Sequence, residues 1–175
     1  MSKRVLLSCC AAAAALLLAA CGSSKAPGVE LAPSGGATEA AVPTTPKPPP
    51  DLATKPVVTV PKGPPPKTLV KKDLITGTGQ VAQAGQTVTV NYVGVLYKSG
   101  TEFDSSWKRN QPFTTALTTG SVIPGWVQGI PGMRVGGRRE LIIPPSLGYG
   151  KAGSPPTIPP NSTLVFVVDL LSVSS

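Results

Sequence analysis

Histidine is absent from the sequence, and the three cysteines, Cys9, Cys10 and Cys21, all fall within the first 21 of its 175 residues. The missing imidazole excludes Ser-His-Asp and Cys-His catalysis and removes the commonest metal ligand. Beyond Cys21 no thiol remains to act as nucleophile, disulfide partner or thiolate ligand, so neither a metal nor a cofactor is expected there. Aromatic residues make up only 5% of the chain, so a folded core must be compact. Acidic residues are also few, eight against 16 Lys plus Arg, for a net charge of +8. That excess is scattered: +2 from Lys3 and Arg4, +2 from residues 22–67 and +4 from residues 68–175. Without a long basic run the chain does not read as a nucleic-acid binder. Arg138-Arg139 is a pair, and strand alternation would send the two side chains to opposite faces.

What is present begins with an address. After Lys3 and Arg4, the stretch from Val5 to Ala20 is apolar apart from Ser8. It is shorter than the roughly 20 residues of a membrane-spanning helix and fits a signal-peptide core. It ends Leu18-Ala19-Ala20-Cys21-Gly22, which resembles a bacterial lipobox. In that reading residues 1–20 are a lipoprotein signal peptide, and the thiol of Cys21 accepts a lipid. The mature protein then sits on the cell membrane, lipid-anchored, on its extracytoplasmic side. An ordinary secretory signal with a chance cysteine is the alternative.

Residues 22–67 contain 12 of the 21 prolines and no aromatic residue. Such composition buries too little apolar surface to offset chain ordering. Residues 21–67 are therefore expected to be a lipidated cysteine followed by a disordered tether, in which the Val and Thr residues of Val57–Val60 could touch the domain though nothing in the sequence demands it. Fully extended, it would reach on the order of 140 Å. Pro43-Thr44-Thr45-Pro46 has PxxP spacing, but in so proline-rich a stretch a spacer is the simpler reading.

Residues 68–175 form the expected folded unit, long enough for a single core. Strand patterns run over Thr68–Ile75, Thr87–Leu96, Glu102–Ser105, Pro112–Leu117, Val135–Ile143 and Leu164–Val173. Val88, Val90 and Tyr92 share one face of the second; Leu164, Phe166, Val168 and Leu170 share one face of the last. A short helix is predicted over Pro124–Ile130, with Pro124 at its first position and Pro131-Gly132 ending it. Pro144–Asn161 carries six prolines, which excludes an interior strand and predicts a stiff surface loop. The fold class is α+β: an antiparallel sheet half-wrapped around one short helix. Phe103-Asp104-Ser105-Ser106 and Val122-Ile123-Pro124-Gly125-Trp126 place large apolar groups beside chain reversals. On residue physics alone, Phe103 and Trp126 are either core or the lining of an aromatic cavity.

Six segments in order resemble the FKBP-type peptidyl-prolyl cis-trans isomerases. They are Val90–Leu96, Gly100–Ser106, Arg109–Phe113, Val122–Trp126, Gly148–Gly150 and Ile158–Phe166. The resemblance spans nearly all of Thr68–Ser175 and implies an FKBP-like fold and rotation of X–Pro peptide bonds. It implies that Trp126 is the pocket floor under the substrate proline. Tyr92, Phe103, Phe113, Val122, Ile123 and Phe166 would be the apolar walls, and Asp104 the carboxylate at the pocket edge. Tyr149 and the Ile123 N–H would hold substrate carbonyls, and Ile158 would belong to an overhanging loop. Asp104, Tyr149 and Trp126 are thus the implied catalytic residues. Thr115, Ser154 and Thr157 depart from the family pattern, which touches substrate and drug preference. Implied partners are proline-containing unfolded or secreted proteins and macrolides such as tacrolimus or rapamycin. A binding module or chaperone with little turnover, and a structural lipoprotein, are the competing classes. Nothing suggests an interface, so a monomer is expected.

Overall fold

The computed structural model describes residues 50–174. The signal-peptide and lipobox readings, Cys21 included, and the tether reading of residues 21–49 lie outside the described residues. Six strands build one antiparallel sheet: β1 (Val70–Ile75), β2 (Thr87–Leu96), β3 (Glu102–Ser105), β4 (Phe113–Ala116), β5 (Arg138–Ile143) and β6 (Leu164–Ser174). The order is β1-β5-β6-β2-β3, and β4 pairs with β2. β3 and β4 share β2 end to end: β4 faces Thr87–Val90, β3 faces Val93–Val95. A 3₁₀ turn, Trp107–Arg109, lies between them. The α+β expectation holds, and the strand and helix patterns differ from the observed elements mainly at their ends.

One helix, α1 (Pro124–Gly129), packs on the inner face of the sheet. Pro124 opens it because a first-turn N–H has no intrahelical acceptor to lose. Gly125 faces β5 so closely that a Cβ there would lie 2.5 Å from Ile143 Cγ2, so only glycine permits this approach. Arg139 fixes the other end of α1, donating from Nη1 to the Gly129 carbonyl at 2.8 Å while its Nε and Nη2 hold Asp73. Arg138 points the opposite way, to Asp169. Alternation thus separates the arginine pair as expected.

The main core joins Val88, Val90, Tyr92, Trp126, Ile130, Leu141, Ile143, Leu164, Phe166, Val168 and Leu170. The outer face of the sheet is buried too. Val93, Val95, Tyr97, Ile142 and Val165 form a second cluster there, against Val58, Val60 and Trp107.

That second cluster corrects the tether boundary. Residues from Pro50 onward belong to the folded unit. Leu52 is fully buried, and Lys55 donates to Glu102 at 2.7 Å. The Thr54 carbonyl accepts from Arg138 Nη2 at 3.0 Å. Pro56, Val58 and Val60 are half-buried and alternate with exposed Val57 and Thr59, the period of an extended chain lying flat on a surface. The reason is the second apolar face of β2, β5 and β6. Leaving it wet would forfeit about 25 cal/mol per Å² of apolar surface, and this extended arm covers it.

Candidate active site

Four aromatic rings meet at one end of the inner face. Trp126, brought in by the first turn of α1, is 4% exposed. Tyr92 and Phe166 stand edge-on to its indole at centroid distances of 5.2 and 5.4 Å, and Phe113 does so at 6.2 Å. Edge-to-face pairs of this kind add about 0.5–1.5 kcal/mol each beyond area burial, so the floor is rigid. Above it opens a cavity of about 420 Å³ lined by Tyr92, Phe103, Asp104, Phe113, Trp126 and Tyr149, with Arg109, Ser121, Val122, Ile123 and Phe166 completing the wall.

Two backbone features shape this cavity. The β2–β3 register slips between Gly94, opposite Asp104, and Val95, opposite Glu102. The resulting bulge places both Phe103 and Asp104 on the cavity, where strict alternation would have parted them. Gly94 makes the room: a Cβ there would lie 2.7 Å from Phe103 and 2.8 Å from Phe166. Ile123 caps α1 in an extended conformation. The N–H of a cap residue has no acceptor inside its own helix, which leaves it free for a ligand.

The polar rim is a three-residue network. Tyr92 donates from its hydroxyl to Asp104 Oδ2 at 2.5 Å. Arg109 donates from Nη1 to Asp104 Oδ1 and from Nη2 to the Tyr92 hydroxyl, at 2.5 and 2.7 Å. Burial alone would raise the Asp104 carboxyl. Hydrogen bonds from Tyr92 and Arg109 outweigh it and hold the group below the ordinary carboxylate range. Burial, reinforced by Asp104, pushes the Tyr92 phenol up to about 12. Tyr149 stands at the mouth, 39% exposed, and its phenol is raised by burial and then by the charge of Asp104. The site at neutral pH therefore offers one carboxylate, one guanidinium and two phenols that keep their protons.

Sequence reading placed Asp104, Tyr149, Trp126, Tyr92, Phe103, Phe113, Val122, Ile123 and Phe166 together, and all nine line the cavity. Ile158 does not. It is 4% exposed in the main core, because its N–H and carbonyl both bond to Ser154 and fold the proline-rich loop inward. Thr115, Ser154 and Thr157 are not among the lining residues either. Arg109 and Ser121 were missed as site residues. The signal for Arg109 was its place five residues after a half-buried carboxylate that needs a counter-charge.

A larger groove of about 1300 Å³ runs between the arm and the loop around Pro160. It has no carboxylate and one aromatic residue, Tyr97, itself 9% exposed.

The model of the FKBP-type peptidyl-prolyl cis-trans isomerases matches residues 79–171. The chain belongs to this family. It is a peptidyl-prolyl cis-trans isomerase. An FK506-binding protein of Streptomyces anulatus is 55% identical over 120 residues, which cover 68% of this chain and 97% of that protein. A probable FK506-binding protein of Corynebacterium glutamicum is 49% identical over 118 residues, 67% of this chain and 98% of that one. Among solved structures, AtFKBP13 superposes with a TM-score of 0.57 at 39% identity, covering 63% of this chain and 96% of its own. FkpA from Escherichia coli does so with a TM-score of 0.56 at 48% identity, covering 61% of this chain and 48% of its own. The matched residues take in β2 to β5, α1 and most of β6; the arm from Pro50 to Lys67 and β1 precede them.

Proposed function

We propose that this isomerase works on the extracytoplasmic side of a membrane, held there by a lipid on Cys21, and assists the folding of exported proteins. The rotation takes place in the aromatic cavity over Trp126. Barriers to X–Pro rotation run at about 18–20 kcal/mol because amide resonance is lost in the twisted state. No bond breaks, so no nucleophile, metal or proton shuttle is needed. A planar amide carries more charge on its carbonyl oxygen than a twisted one, and water stabilises that charge. The proline ring lies on Trp126, walled by Tyr92, Phe103, Phe113, Val122, Ile123 and Phe166, and water is displaced from the imide. The twisted state is then favoured relative to the planar one, the differential stabilisation that catalysis requires. Tyr149 and the Ile123 N–H hold the flanking carbonyls. A thousandfold acceleration needs about 4 kcal/mol, within reach of a dry cavity and two hydrogen bonds. Asp104, held by donors from Tyr92, Arg109 and the Ser105 N–H, acts as a fixed charge.

The observation that carries this reading of the site is the indole floor ringed edge-on by Tyr92, Phe166 and Phe113. Relatives named for binding FK506 support tacrolimus, which is FK506, and rapamycin as competitors for the cavity. The lipobox Leu18–Cys21 supports the anchor. Cys21→Ser tests it, since serine cannot form the thioether. The variant is expected in the soluble or secreted fraction or as uncut precursor; lipidation and processing like wild type would overturn the anchor.

A further inference from the structure

Two chains of contact run from the arm to the polar rim of the cavity. The first is ionic. Lys55 Nζ lies 2.7 Å from Glu102 Oε2, and Lys108 Nζ lies 3.1 Å from Glu102 Oε1. Glu102 opens β3 two residues before Asp104, and Lys108 precedes Arg109 in the 3₁₀ turn. The second is apolar. Val58 and Val60 pack on the outer-face cluster that also takes Trp107, the first residue of that turn. Both chains end on the segment 102–109, from which Phe103, Asp104 and Arg109 line the cavity. β3 pairs with β2 through only three residues, Phe103 packs edge-on against Phe166 of β6, and the turn closes on single bonds such as Arg109 N–H to the Ser106 carbonyl.

We propose that residues 50–60 are a positioning arm for the isomerase site, with Lys55 as its key residue. Lys55 clamps Glu102 and through it Lys108, while Val58 and Val60 pack on the outer-face cluster that also takes Trp107. Together they hold β3 and the 3₁₀ turn in the register that lets Arg109 reach Asp104 and Tyr92. Nothing in the arm lines the cavity, so Lys55 acts through Glu102 and not on substrate. The role in turnover rests on the cavity being the site of rotation; the contact with segment 102–109 does not.

The test uses the full chain with Lys55→Met, which keeps most of the side-chain stem and removes the charge, and with Lys55→Arg, which keeps it. A Val58→Ser/Val60→Ser pair probes the apolar chain. Amide hydrogen exchange is followed over residues 102–110 and, as a control, over β5, and kcat/KM is measured on a proline tetrapeptide. Lys55→Met is expected to speed exchange in 102–110 at least threefold with β5 unchanged. It is expected to lower kcat/KM about two- to threefold, the size an exposed ion pair can produce, and Lys55→Arg is expected to restore both. The valine pair is expected to act in the same direction and more strongly. Exchange and kcat/KM both at wild-type values in Lys55→Met would overturn the proposal. So would faster exchange spread evenly over the sheet, or faster exchange in 102–110 with unchanged kcat/KM, since either makes the arm a structural cover alone. If the wild-type chain shows no turnover at all, the reading of the cavity fails, and the exchange pattern still decides whether the arm holds segment 102–110.

Discussion

The hydroxyl of Tyr92 on β2 donates to the carboxylate of Asp104 on β3 across a cavity wall, and Arg109 grips both. This relationship determines what the site can do. A carboxylate that accepts from a phenol, a guanidinium and the Ser105 N–H is held ionised below the ordinary carboxylate range, which makes it a poor base for a substrate proton. It contributes charge and shape, which suits a reaction that moves no proton.

The pH dependence follows from those groups. Asp104 is held below its ordinary value of about 3.9 by Tyr92 and Arg109. With its folded pKa lowered, its contribution to stability is complete above the unfolded value and is lost as pH falls through the folded one. Tyr92, pushed up to about 12, contributes fully below the ordinary phenol value of about 10 and loses that contribution as pH rises toward 12. The expected profile of kcat/KM is flat from about pH 5 to pH 9, with an acid limb below the ordinary carboxylate range. A bell with a limb near neutrality would show a titrating acid or base in the reaction.

Tyr149→Phe keeps the ring at the cavity mouth and deletes one hydroxyl. A neutral hydrogen bond is worth roughly 0.5–1.5 kcal/mol. The expected loss in kcat/KM is about threefold to tenfold. Because Tyr149 is 39% exposed, the urea midpoint should stay near that of wild type. Unchanged turnover in the folded variant would remove Tyr149 from the site.

Leu52→Ala tests the corrected boundary. A side chain in a mobile tether could be truncated without cost. Leu52 is fully buried, and truncating a buried leucine costs about 2–5 kcal/mol. A clear fall in the urea midpoint is expected, with m-value unchanged. A midpoint at the wild-type value would return residues 50–67 to the tether.

Much of this fold was legible because β2 and β6 write their inner faces plainly: Val88, Val90 and Tyr92, then Leu164, Phe166, Val168 and Leu170. The site was legible through its motifs, since the residues that line a cavity floor look like core until a family pattern assigns them. Three features were not legible, each for a physical reason. The bulge by which Phe103 and Asp104, both assigned to the cavity by the family motif, come to share it is foreseen by no alternation rule. Ile158 turns inward because its loop folds on backbone bonds to Ser154, which side-chain identity does not reveal. Proline content hid the arm, yet Val93, Val95, Ile142 and Val165 already demanded a cover, and Leu52, Val58 and Val60 are apolar residues within the proline-rich stretch.

The most direct test is the isomerisation of an X–Pro tetrapeptide by wild type and by Trp126→Ala, with folding of each checked by urea titration. Truncating so large a buried aromatic is expected to cost about 3–5 kcal/mol of stability, so the comparison is made where the variant is still folded. Wild type is expected to accelerate rotation and to be inhibited by tacrolimus. Folded Trp126→Ala, its floor opened to water, is expected to lose at least tenfold in kcat/KM. No acceleration by wild type, or full activity in a folded Trp126→Ala, would contradict rotation over the indole.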